Sequence, residues 1–118
     1  MTIGVTHVEA VTDSSGDFTQ DILPGVKGKL KAIRMVYGDM ATGADLDITD
    51  VHGKNVYNHD DLGTSDLDRA VLEQAADIVD GALESAQYTD VVFEGPLTFT
   101  IANGGDTNSS KFLLYYEV

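Results

Sequence analysis

The sequence predicts a mainly β protein: a compact antiparallel β-sandwich, or a jelly-roll-like barrel, of about six to eight strands. Three observations predict it. Several short segments alternate apolar and polar residues with a period of two, as a strand with one wet and one buried face must. Turn chemistry recurs at intervals of about ten residues. No helix–strand repeat of the kind that builds a parallel α/β sheet is present, and no internal repeat or low-complexity tract interrupts the chain. At 118 residues the chain fits one domain, residues 1–118, able to bury roughly 65% of the surface its unfolded form exposes.

The elements follow in order. Ile3, Val5, Val8 and Val11 form a first strand, and Asp13-Ser14-Ser15-Gly16-Asp17 supplies a turn into a second strand over 18–23, because short polar side chains bond their own backbone and Gly accepts positive φ. The economical reading is a hairpin. Pro24-Gly25 is another turn signal, and 27–37 is the longest run suited to an extended strand. Ala44-Asp45-Leu46-Asp47-Ile48-Thr49-Asp50 alternates with period two, His52-Gly53 turns the chain, and Asn55-Val56-Tyr57 begins the return strand.

Residues 65–86 are ambiguous. Leu67, Val71, Ala75, Ile78 and Ala82 recur at helical spacing behind a Ser65 N-cap, with Asp66 and Asp68 in the first turn. Gly81 and the β-rich surroundings favour a strand plus an irregular loop, and both readings stay open. Leu97-Thr98-Phe99-Thr100-Ile101 then alternates cleanly, and Gly104-Gly105 lies in a polar loop that reads as a hairpin. The last strand carries Phe112, Leu114, Tyr116 and Val118 on one face and Leu113 and Tyr115 on the other. Both faces should therefore be covered, which makes it a central or an interface strand.

Charge excludes several functions. Twenty acidic against seven basic residues give a formal net charge of −13 and an isoelectric point near 4.2. Nucleic acid and anionic membrane surfaces, which bind cationic groups, are poor partners. Such a surface suits high salt and a marine or halophilic source. An apolar fraction of 42% with 23% charged residues is enough hydrophobic material to fold. The absence of cysteine removes disulfides and thiolate metal sites. No stretch approaches the roughly 18 apolar residues of a membrane helix, and the N-terminal residues lack a secretory signal pattern, so the chain is expected to be soluble where it is made.

No catalytic constellation emerges, and an enzyme is not expected. His7, His52 and His59 are the available imidazole bases, and none lies in a nucleophile motif. His59-Asp60-Asp61 offers adjacent ligands that point in different directions, which favours a solvated loop over a metal site. Asp45, Asp47 and Asp50 resemble the start of a calcium loop, but Asp50 and Val56 stand where that loop needs Gly and Glu. Asp45 and Asp47 read better as the wet face of a strand. Neither metal nor cofactor is expected.

Lys27, Lys29, Lys31 and Arg34 are four of the seven basic residues, in a stretch from Val26 to Gly38 without an acid. The charge divides into +4 there and −17 elsewhere, summing to −13. In an extended strand Lys27, Lys29 and Lys31 share a side and form a cationic stripe. The stripe protects an edge strand or balances acidic faces, or it docks an acidic partner or a neighbouring subunit.

The chain resembles a family of small virion proteins of tailed bacteriophages and related archaeal viruses. The resemblance is carried by the succession Val11-Thr12-Asp13-Ser14-Ser15-Gly16-Asp17, Gly28-Lys29-Leu30-Lys31-Ala32-Ile33-Arg34, Ala44-Asp45-Leu46-Asp47-Ile48-Thr49-Asp50 and Gly95-Pro96-Leu97-Thr98-Phe99-Thr100-Ile101-Ala102-Asn103-Gly104-Gly105. It departs over 66–87, where relatives carry Tyr-Pro-Arg-like residues and only Arg69 corresponds. The resemblance implies a capsid decoration (cement) protein, made in the host cytoplasm. It would sit on the outside of the virion shell as a homotrimer, bound to the major capsid protein and stabilising capsomer contacts. Alternatives are a neck or tail component and a carbohydrate- or calcium-binding β-sandwich module. The residues expected at a partner or subunit interface are Lys27, Lys29, Lys31, Arg34, Leu113 and Tyr115.

Overall fold

The structure, a computed structural model, describes residues 2–76 and 83–118, with the backbone alone for 74–76 and 83–87. Ten strands are present among the described residues: β1 (Ile3–Val11), β2 (Phe18–Ile22), β3 (Lys27–Val36), β4 (Asp45–Thr49), β5 (Asn55–His59), β6 (Leu67–Ala70), β7 (Leu72–Ala76), β8 (Leu83–Glu94), β9 (Leu97–Ala102) and β10 (Ser109–Glu117). They form two antiparallel sheets. The larger runs β1-β10-β3-β8-β7, with β6 also paired to β3, and the smaller runs β2-β9-β4-β5. The architecture is a β-sandwich of more strands than the sequence suggests, and neither sheet closes into a barrel.

The core is what period-two alternation demands. Val8, Leu30, Ile33, Met35, Val91, Phe112 and Leu114 from the larger sheet meet Leu46, Ile48, Leu97, Phe99 and Ile101 from the smaller, all essentially inaccessible. Each such side chain contributes roughly 1.5–3 kcal/mol by leaving water. Phe99 lies at the centre, edge-on to Phe112 at 5.0 Å and to Phe18 at 6.2 Å between ring centroids. That geometry suits the quadrupoles of the rings.

Two expectations are corrected, and two readings left open by the sequence are decided. β1 and β2 do not form a hairpin: β1 pairs with β10 and β2 with β9, in different sheets. The loop holding Gly104-Gly105 is likewise a crossover, since β9 and β10 belong to different sheets. Both turns carry the chain over the edge of the sandwich, where Gly104 N donates to Gly16 O and Thr12 Oγ1 bonds Gly105 O. The helix over 65–86 is replaced, wherever residues are described, by β6, β7 and the start of β8. Residues 77–82 lie outside the described residues. Pairing to β3 overrides the helical spacing: Leu67 opposes Met35, Asp68 opposes Arg34, and Val71 N donates to Lys31 O. Finally, the lysine-rich strand is not an edge. β3 lies between β10 on one side and β8 and β6, end to end, on the other.

Candidate functional site

The two outward faces of the sandwich differ in chemistry. On the smaller sheet, antiparallel register aligns Asp21, Thr98, Thr49 and Asn55 in one row and Thr19, Thr100, Asp47 and Asn58 in the next. Its carboxylates are tied laterally: Thr98 Oγ1 donates to Asp21, Asn55 Nδ2 to Asp47 and Asn103 Nδ2 to Asp45 at 2.8–3.1 Å. Asp45 and Asp47 thus stand on the outward face, as their alternation requires. This is a polar, acidic surface.

The larger sheet is different. Its outward rows are Ile3, Glu117, Lys29 and Val92; then Val5, Tyr115, Ala32 and Ala70; then His7, Leu113, Arg34 and Asp68; then Glu9, Lys111 and Val36. Ile3, Val5, Val11, Val36 and Val92 are exposed on this face, between 43% and 56%, and Leu113 and Tyr115 are half-buried beside them. The outward face of the smaller sheet carries none of the exposed large apolar side chains among the described residues. Exposed apolar side chains gathered on one face, interleaved with charge, mark it as the candidate contact surface.

The structure brings the predicted residues of β3 and β10 together here. A shift in register between Tyr115 and Tyr116 leaves Lys31 as the extra residue of a bulge. Lys27, Lys29 and Lys31 still reach one line of carboxylates on β8, while Arg34 faces outward with Leu113. Lys31 Nζ lies 2.7 Å from Asp90 Oδ1 and Lys29 Nζ 3.7 Å from Asp90 Oδ2; Lys27 Nζ is 3.7 Å from Glu94 and Arg34 Nη2 2.9 Å from Asp68. The hydrogen bond between Asp90 and Lys31 raises the lysine pKa and lowers that of the carboxyl. Four cations therefore meet three carboxylates, and the stripe is largely neutralised within the chain. These pairs are exposed and each stabilises little.

Sequence reasoning missed the other half of this surface. Ile3, Val5 and Val11 alternate with buried Val8 and Ala10, so β1 is apolar on both faces, the same signal that drew attention to β10. Asp68, Asp90 and Glu94 gave no signal, being remote in sequence from the lysines they meet.

The remaining candidates are dispersed. His7 stands on the outward face of β1; His52 Nε2 is 2.7 Å from Glu94 Oε2, which raises the histidine pKa and, with Lys27, lowers that of Glu94. His59 Nδ1 is 3.0 Å from Tyr57 Oη. Asp50, buried at 8% exposure, accepts N–H bonds from His52, Lys54 and Glu94 and is the anchor of the β4–β5 turn. Among the described residues no group of three His, Asp or Glu is placed to hold a metal ion. The chain matches no family model and no curated protein.

Proposed function

We propose that this domain is a structural part of a virus particle, a capsid decoration protein that docks on the outside of the shell and stabilises contacts between capsomers. The supporting observation is the asymmetry of the sandwich: an acidic Asp/Thr/Asn face on one sheet, and an apolar face around Val5, Leu113 and Tyr115 on the other. In this reading the apolar face meets the shell and the acidic face meets water. Arg34, Lys29 and Lys111 between the apolar rows give orientation, since charge at an interface fixes register more than it adds affinity. The partners are the major capsid protein and further copies of the chain, and the protein is not an enzyme.

The test is cosedimentation. The chain, produced together with a candidate major capsid protein, should travel with assembled shells in a gradient and saturate at a fixed ratio. Leu113→Asp and Tyr115→Asp, both on half-exposed positions, should abolish this while leaving the fold intact by circular dichroism. A wild-type chain that stays at the top of the gradient overturns the reading. Labelling confined to the neck or tail would replace it with a connector role.

A further inference from the structure

The β1 edge of the larger sheet carries an inference independent of what binds its face. β1 is the outermost strand, and β10 is its partner along all nine residues without a shift in register. The hydrogen bonds at its two ends set the phase of the ladder: Thr2 and Val118 exchange N–H···O bonds of 3.3 and 3.0 Å, and Thr12 N donates to Asn108 O at 2.9 Å. Bonding groups alternate sides along an antiparallel strand, so the even residues of β1 face β10. Ile3, Val5, His7, Glu9 and Val11 then present their N–H and C=O groups to the open side, and all five are exposed. No other strand among the described residues pairs with that side.

Long edges of this kind are normally blunted by Lys, Pro, a bulge or brevity. The edges of the smaller sheet follow that rule: β2 and β5 have five residues each, β2 carries Asp21, and the β4–β5 ladder is broken by a shift. β1 has nine residues, no Lys, Arg or Pro and no shift, and Glu9 is its one acidic residue. Its outward sequence also allows one symmetric register with an apolar pair at each end. Run antiparallel to a copy of itself about a two-fold axis at His7, Ile3 meets Val11, Val5 meets Glu9 and His7 meets His7. That register alone engages all five outward-bonding residues of each strand. A slip of two residues along the strand in either direction leaves one of them unpaired, and a slip of four toward the C-terminal end sets Glu9 against Glu9.

We propose that two copies of this chain pair through β1 in that register, joining their larger sheets into one continuous sheet across the two-fold axis. The bonds are backbone to backbone. The apolar pair Ile3 and Val11 occurs twice, once near each end of the seam, where both side chains are otherwise exposed. Antiparallel pairing of identical edges is isologous and stops at two copies, in contrast to the threefold assembly that the family resemblance implies.

The symmetry makes the test specific, because residue 7 faces its own copy. The full chain should show a concentration-dependent monomer–dimer equilibrium in sedimentation velocity. His7→Lys and His7→Glu, at an exposed position, should each weaken self-association roughly tenfold by setting like charges opposite one another. An equimolar mixture of the two should restore it as a mixed dimer. Amide exchange should slow with concentration at Ile3, Val5, His7, Glu9 and Val11 in the wild type. A monomer at every concentration, a trimer, variants that associate as well as the wild type, or a mixture that fails to recover overturns the proposal. Matching melting curves of both variants separate loss of pairing from loss of fold.

Discussion

Asp50→Ala should be among the most damaging changes of a polar residue in the described chain. Asp50 Oδ1 accepts the N–H groups of His52 at 2.9 Å and Lys54 at 3.0 Å, and Oδ2 that of Glu94 at 3.4 Å. Bonds to a charged acceptor contribute about 1.5–3 kcal/mol each. The first two lie on an exposed turn where water partly replaces the carboxylate, so they belong at the low end, and the third is long. The expected loss is about 3 kcal/mol, a large part of a total stability of roughly 5–15 kcal/mol. Asp50→Asn, which keeps one oxygen acceptor without the charge, should lose about half as much. Urea denaturation checks this through a lower midpoint at unchanged slope. Acid gives a second check. Burial pushes the Asp50 carboxyl upward, but the three N–H groups and His52 outweigh it and hold the pKa below the usual 3.8. A carboxyl with a depressed folded pKa stabilises above its unfolded value and ceases to do so as pH falls through the folded one. The gap between wild type and Asp50→Ala should therefore be full near neutrality and close below pH 3.8. A loss under about 0.5 kcal/mol, within the ordinary range for a surface change, or a gap that persists in acid, refutes the reasoning.

Phe99→Ala removes a fully buried ring in contact with two others and should cost about 3–5 kcal/mol in the same urea assay. Gly38→Ala would drive its Cβ into the carbonyl oxygen of Ser109, where only backbone can yield, so the melting temperature should fall. His52, raised above its usual 6.5 by Glu94, stabilises below its unfolded pKa and loses that contribution as pH rises through the raised value; the midpoint difference from His52→Gln should vanish on the alkaline side. Lys31→Glu sets a second carboxylate against Asp90 in place of an ion pair, and its deficit in stability should shrink in concentrated salt.

The strands were legible because their signal is local. Leu46 and Ile48, or Leu97, Phe99 and Ile101, declare a buried face by spacing alone, and the structure buries all of them. Which strand lies beside which was not legible, because a partner is chosen by packing across the core. The turn at 13–17 fits a hairpin by composition, yet it leads from one sheet to the other. The segment beginning at Leu67, open between helix and strand in the sequence, is decided by the hydrogen-bonding edge of β3 against its helical spacing. The candidate surface divides in the same way. Lys27, Lys29, Lys31 and Arg34 stood out as a group, as did the two-faced β10, but the carboxylates that meet the cations come from β6 and β8. Asp50 was visible only as part of a failed calcium pattern, since nothing in its neighbours shows that its oxygens turn inward to backbone.

The exchange of strands between sheets also governs how fast the molecule can be made. Among the pairs of the described residues, only β4 with β5 and β7 with β8 join strands consecutive in the chain; β2 must find β9, β3 must find β10, and Thr2 must meet Val118 before the ladder of β1 is closed. Each of those encounters closes a long loop before any contact compensates for the lost entropy. Folding should therefore fall in the millisecond-to-second range of non-local β topologies, with the two local hairpins forming ahead of the rest. During that interval β1 waits for the most distant partner in the chain, and the nascent protein is then most exposed to pairing with another molecule.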